Sequence, residues 1–241
     1  GGHVGFSVDT AGDMNGDGYD DVLIGAHHSD SHSDAVSGGI TYVVFGSDWD
    51  RSDQHFDLTS LDGTNGFRLL GDNVNDYSGF SVSTAGDING DGYVEIVNGS
   101  GTGVTAAFDR KARPLWQFNN HGYNTREIIC HDLDNNGCSN TLIASDTGYV
   151  YALDGHGEIR WQTDLKAPVV ALAKIGAQAD KTELAAGLTN GELVVLNRTG
   201  KPVAAHHGGA PVKFIVDLTP AETGIRKIAV VDAEDRVRVL A

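Results

Sequence analysis

The chain has 241 residues, 40% of them hydrophobic and 21% charged, which is the make-up of a packed globule and not of a disordered segment. With 33 acidic against 17 basic residues the formal net charge is −16, a surface that repels phosphate backbones and anionic lipid, so no nucleic-acid partner is expected. No apolar run approaches the roughly 18 residues of a spanning helix, so no membrane insertion is expected either. The start at Gly1-Gly2 in place of Met reads as a processed product, a fragment or a recombinant chain.

Taken in chain order, the predicted elements are strands throughout. Gly5 to Tyr19, GFSVDTAGDMNGDGY, returns 74 residues later as GFSVSTAGDINGDGY, Gly79 to Tyr93, with 13 of 15 positions identical. The first unit is long because Ala26–Gly38 and Gly46–Gly66 carry polar insertions. Beyond Tyr93 the period shortens: VTAAFDRKARPLWQF, YVYALDGHGEIRWQT, ELVVLNRTGKPVAAH and RVRVLA start 45, 43 and 44 residues apart. That spacing holds four short antiparallel strands with their turns, one propeller blade. Four strands are predicted at Glu127–His131, Thr141–Ser145, Tyr149–Leu153 and Ile159–Thr163, and four more at Val169–Ile175, Glu183–Leu188, Glu192–Asn197 and Pro202–His206. A fifth unit offers Val212–Leu218, Lys227–Val231 and Arg236–Leu240. The expected fold is therefore an all-β β-propeller, or a propeller fragment, of about five blade-like units over residues 1–241, the last blade incomplete in this chain. An unpaired blade edge invites another strand, so a homo-oligomer or a complementary propeller fragment is expected as partner.

The repeated GDMNGDGYDD and GDINGDGYVE segments crowd acidic side chains among glycines. From Asp13, oxygens at positions 1, 3, 5 and 9 (Asp13, Asn15, Asp17, Asp21) and the position-7 carbonyl of Tyr19 can converge on one point. Six or seven hard oxygens in a flexible cage suit Ca²⁺, whereas Mg²⁺ demands stricter octahedral geometry. Asx-rich turns without metal use the same residue types and are the alternative. The second set is Asp87, Asn89, Asp91, Tyr93 and Glu95. A third segment, HDLDNNGCSN, keeps Asp132, Asp134, Asn136, Cys138 and Asn140 at that spacing with less charge, and is expected to bind weakly or not at all. The corresponding KIGAQADKTE and DLTPAETGIRK have lost the pattern.

GFSVDTAGDMNGDGYDDVLIGA resembles the FG-GAP repeat of integrin α-subunit propellers and related bacterial surface proteins; His27 stands where that family has Pro. The resemblance, which covers roughly residues 1–100, implies calcium in a loop joining the first two strands of a blade, with Glu95 replacing the usual Asp. It also implies an extracellular or cell-surface, non-catalytic scaffold whose ligand is a protein or a glycan. From about residue 94 the chain, with ALDGHGEIRW and AAFDRKARPLW, is similar to quinoprotein-like and other short-blade propeller repeats, whose tryptophans, here Trp116 and Trp161, dock blade on blade. Two alternatives follow: a fragment of a quinone-dependent dehydrogenase, or an engineered chimera spliced just after Tyr93 with no evolved function. HHSDSHSD, His27 to Asp34, holds transition-metal ligand types, but its irregular spacing in a Gly/Ser-rich insertion reads as a solvated loop. Cys130 and Cys138 read as two free thiols or one local bridge.

Overall fold

The computed structural model describes residues 3–31, 36–48, 55–176, 183–220 and 227–240. His32, Ser33 and Asp34 of the histidine-rich stretch lie outside the described residues, as do the middles of the two segments that lost the acidic pattern. The chain divides into two compact units, Gly1–Thr125 and Arg126–Ala241.

The first unit holds two four-stranded sheets in which each strand runs antiparallel to its chain neighbour. One contains β1 (Ser7–Gly12), β2 (Asp21–Ala26), β3 (Ile40–Val44) and β4 (Gly66–Leu70). The other contains β5 (Ser81–Gly86), β6 (Glu95–Gly99), β7 (Val104–Phe108) and β8 (Pro114–Asn119). The sequence boundary at residues 93/94 falls in the loop that joins β5 to β6. The first two strands of each sheet keep the 74-residue offset, and so does their irregularity: a bulge sets Gly12 opposite Asp21 and Gly86 opposite Glu95. Both glycines take positive φ, 57° and 60°, which a side chain disfavours. Ala11, Met14, Leu23, Val43, Leu69, Val82 and Ile96 form the core between the sheets. Asp9 on β1 reaches β5, accepting from the Thr84 N–H at 3.0 Å and the Ser83 hydroxyl at 3.3 Å.

In the second unit β9 (Thr125–His131, its first residue in the first unit), β10 (Asn140–Ser145), β11 (Tyr149–Leu153) and β12 (Ile159–Asp164) form one sheet. The next contains β13 (Val169–Ile175), β14 (Glu183–Leu188), β15 (Glu192–Asn197) and β16 (Pro202–His207). The last has three strands among the described residues, β17 (Val212–Asp217), β18 (Ile228–Asp232) and β19 (Val237–Leu240). First strands near residues 5, 79, 127, 169 and 212 are borne out, because turn glycines and Asx residues bracket each apolar run. The second strands are buried on both faces and read as apolar runs, whereas β16 is exposed along its whole length. The only helical turn among the described residues is the 3₁₀ turn Leu58–Ser60, opened by the Asp57 carboxylate accepting from the Thr59 N–H.

Candidate metal centre

Three loops connect first strand to second with one backbone design. The position-1 carboxylate gathers the amides of the turn: Asp13 accepts from the N–H of Gly16, Asp17 and Gly18 at 2.7, 2.9 and 2.9 Å. Asp87 does the same for Gly90, Asp91 and Gly92 at 2.6, 3.0 and 2.9 Å. Asp132 accepts from Asp134, Asn136 and Gly137 at 3.0, 3.2 and 2.8 Å. The position-2 side chain points the other way. Met14, Ile88 and Leu133 are all buried, each burial stabilising by roughly 1.5–3 kcal/mol and pinning the loop to its sheet. The amide of that same residue donates to position 9: Met14 to Asp21 at 2.9 Å, Ile88 to Glu95 at 2.9 Å, Leu133 to Asn140 at 3.1 Å.

Positions 3, 5 and 9 then face one another. In the second loop the Asn89 amide nitrogen lies 3.3 Å from both Asp91 Oδ2 and Glu95 Oε1. In the first, Asn15 Nδ2 donates to Asp17 Oδ2 at 2.8 Å, and the second oxygen of Asp21 accepts from the Gly46 N–H at 2.8 Å. Apart from the Asn15 and Asn89 amide nitrogens, which face the acids while their oxygens accept from the Asp17 and Asp91 N–H, the side-chain atoms gathered here are carboxylate oxygens, the hard donors that Ca²⁺ takes. Asp21 and Glu95 are both fully buried. Burial is the main cause that raises the Asp21 carboxyl above its usual value, and Asp17 adds to it. Burial, with Asp91 and Asp87 beside it, pushes Glu95 up to about 7. Among the described residues no lysine or arginine pairs with any carboxylate of these two loops. A buried carboxylate without a positive partner is the condition that a bound cation relieves, so the residues fit a calcium ion.

The third loop is met differently. Arg160 on β12 brings one guanidinium nitrogen, Nη1, to Asp134 Oδ2 and, at 3.4 Å, to Asn140 Oδ1. Positions 3 and 9 therefore share a cation that the chain supplies. The registers Val43–Phe67, Ala107–Trp116 and Ala152–Trp161 align the three outer strands; a bulge adds one residue before each tryptophan, so Leu115 stands where Arg160 stands, while in the first sheet Gly66 pairs with Val44 and no residue takes that place. Sequence reading missed Arg160: it lies 20 residues beyond Asn140, and only the strand register connects the two.

The other candidates are placed as follows. Tyr19 and Tyr93 have exposed side chains, and the Arg110 guanidinium covers the Tyr93 ring at 3.7 Å. Neither cysteine forms a disulfide; both are partly exposed, and the Cys130 thiol donates to the Thr141 hydroxyl at 3.8 Å. Trp161 packs against the β15–β16 turn, its indole donating to the Arg198 carbonyl at 3.1 Å and its ring filling the space a side chain at Gly200 would need. The Trp116 indole N–H is buried with no partner among the described residues. His27 is buried at the end of β2; burial first, then His28 and His3, lower its imidazole to about 4, so the ring is neutral near pH 7.

Residues 4–44 match the family model of the FG-GAP repeat, and residues 95–207 match that of the lambda-carrageenase beta-propeller domain. Among solved structures, BBS1N in complex with ARL6DN, soaked with lead, is similar at 13% identity and a TM-score of 0.65, covering 97% of this chain and 64% of that one. The chain thus spans less than two thirds of the length of that solved relative. The computationally designed Ika4 protein is similar at 15% identity and a TM-score of 0.49, over 66% of this chain and 88% of that one. No curated relative matches. The fold is an all-β propeller of five blade-like antiparallel sheets, with an FG-GAP repeat at its start and three strands in its last sheet among the described residues.

Proposed function

We propose that the chain is a non-catalytic propeller scaffold whose first two acidic loops each hold a calcium ion, and which serves extracellular recognition of a protein or glycan. The observation that carries the metal is the pair of buried position-9 carboxylates, Asp21 and Glu95, facing further carboxylates with no cationic side chain among the described residues. The FG-GAP match supports the recognition role, and the lambda-carrageenase match favours a glycan over a protein as ligand. No helix among the described residues is long and apolar enough to cross a membrane. Calorimetric titration with Ca²⁺ tests the metal: two ions per chain are expected, and a flat isotherm at millimolar Ca²⁺ sinks the reading. Glycan-array binding in calcium, lost in chelator, tests the recognition role.

The edge strand β19 exposes Val237 and Val239 at 66% and 59%, which supports a second copy or a complementary propeller fragment pairing there. Light scattering that gives a monomer, together with β19 amides protected from exchange, would contradict it. A second reading, an engineered chimera, is favoured by one coincidence. The near-perfect copy runs to Tyr93, and the lambda-carrageenase match begins at residue 95. Blades that contact mainly their neighbours tolerate such a splice. A natural reading frame encoding both halves without interruption would overturn this origin.

A further inference from the structure

A second cluster of ligand-type side chains lies in the first unit, apart from the acidic loops. β2 ends at Ala26, and a turn closed by the Ser29 N–H to the Ala26 carbonyl at 3.0 Å presents His27 and His28 in succession. His3 is held by its own turn, its carbonyl accepting from the Phe6 N–H at 3.3 Å. The three imidazoles meet with ring centroids 4.3 Å (His27–His28), 4.9 Å (His3–His28) and 5.7 Å (His3–His27) apart. Each offers one nitrogen, and these three atoms all lie within 4.8 Å of one another. His27 is the buried member, 4% exposed, under Phe6 and Phe80 at centroid distances of 4.1 and 5.1 Å. Its Nδ1 is shielded from water and has no hydrogen-bond partner among the described residues. A buried polar nitrogen left unmatched costs on the order of 1–3 kcal/mol, so its retention calls for something that satisfies it.

The geometry points to a divalent transition-metal site formed by His3, His27 and His28, with Zn²⁺ as its ion. Three imidazole nitrogens are borderline donors that suit Zn²⁺, Cu²⁺ or Ni²⁺ and not Ca²⁺, which wants oxygen. Tetrahedral zinc at 2.0–2.1 Å needs its nitrogens about 3.3 Å apart. His3 and His28 are exposed and can close that gap, while His27 stays fixed by the rings around it. Three protein ligands leave the fourth position to water or an anion. The site uses none of the acidic-loop residues, so the two kinds of metal are separable by donor chemistry.

The test titrates the chain with Zn²⁺ in buffer saturated with Ca²⁺, which occupies the oxygen loops. One equivalent of Zn²⁺ is expected to bind, and Co²⁺ in its place should give the visible absorption of a tetrahedral ion. His3→Ala and His28→Ala, both at exposed positions, should each weaken Zn²⁺ binding by more than about tenfold. The Ca²⁺ isotherm should not change in either variant. The pair His206→Ala and His207→Ala, on the exposed strand β16, serves as control and should leave Zn²⁺ binding intact. A Zn²⁺ isotherm that survives loss of both His3 and His28, or that falls equally in the control, would overturn the site.

Discussion

At Asp13–Asp21 and Asp87–Glu95, three carboxylates face one another and no cationic side chain among the described residues pairs with them; at Asp132–Asn140, the same backbone encloses two carboxylates and an arginine. All three loops share the position-1 amide cradle, the buried position-2 anchor and the amide donated to position 9. The shared part is therefore a way of folding a tight turn, and it does not depend on the ion. What differs is how the charge is met. The first two loops leave it to the solvent or to a ligand. The third has Asn140 where the other two have a buried acid, and Arg160 reaches it across the sheet. The charge of such a loop can thus be met from a neighbouring strand while the loop backbone hardly changes.

The largest effect that would break this comparison comes from charge removal at position 5. Asp17→Asn and Asp91→Asn keep a side-chain oxygen to accept from the N–H of Tyr19 and Tyr93, so shape is preserved and one ligand charge per loop is lost. In chelator the double variant should melt close to the wild type. In calcium it should fall well below it, since each occupied site stabilises the folded state by about 2.7 kcal/mol at a hundredfold excess of ion over its dissociation constant. Equal melting temperatures in calcium would show that these loops hold no stabilising ion.

Glu95 sharpens the comparison through pH. Its folded carboxyl titrates at about 7 against an ordinary value of 4.5, so the metal-free folded state binds the proton more tightly than the unfolded chain. Stability without metal is then highest below pH 4.5, falls as pH rises from 4.5 to 7, and levels off above, a loss of up to roughly 3 kcal/mol. Glu95→Gln should remove that slope and raise the melting temperature in chelator at pH 8, while lowering it in calcium. Glu127 on β9 is also pushed to about 7, by burial, and accepts from the Leu172 N–H at 2.6 Å. A pH scan of the wild type alone therefore sums Glu95 with Glu127 and with Asp21, whose carboxyl burial also raises, and Glu127→Gln should show its own slope change with no response to calcium. If Glu95→Gln is less stable than wild type at pH 8 in both chelator and calcium, its carboxylate does not destabilise the metal-free fold.

Much of this was legible in the sequence because it is local. A loop of nine residues must place its own turn glycines, its own cradle carboxylate and its own apolar anchor, and Gly18, Asp13 and Met14 do so within reach of one another along the chain. Strand starts were legible for the same reason. Residues brought in by sheet register were not: Arg160 meets Asn140 through β11 and β12, and His3 meets His27 and His28 through the turn before β1 and the end of β2. The spacing of HHSDSHSD reads as a solvated loop because the third ligand of the cluster is 24 residues away from His27. Burial of Glu95 was hidden too, since an acidic residue at a strand start ordinarily faces water.

The smallest effect is the most specific. Arg160 and Asp134 keep 35% and 36% of their side chains exposed, so their ion pair is screened and adds no more than about 1 kcal/mol. Arg160→Leu, which places there the residue type of Leu115, should therefore lower stability only slightly. On its own it leaves two carboxylates and a neutral position 9, too little charge to hold Ca²⁺ tightly. Adding Asn140→Asp restores three carboxylates among positions 1, 3, 5 and 9, the charge count of the Asp13–Asp21 loop, over a backbone that already has the cradle and the anchor. Calorimetry of that double variant should then show a third Ca²⁺ per chain, and Asn140→Asp with Arg160 retained should show none, because the guanidinium holds the space and charge of the ion. If the third ion binds with Arg160 in place, or fails to bind once it is gone, the guanidinium is not what distinguishes the third loop from the first two.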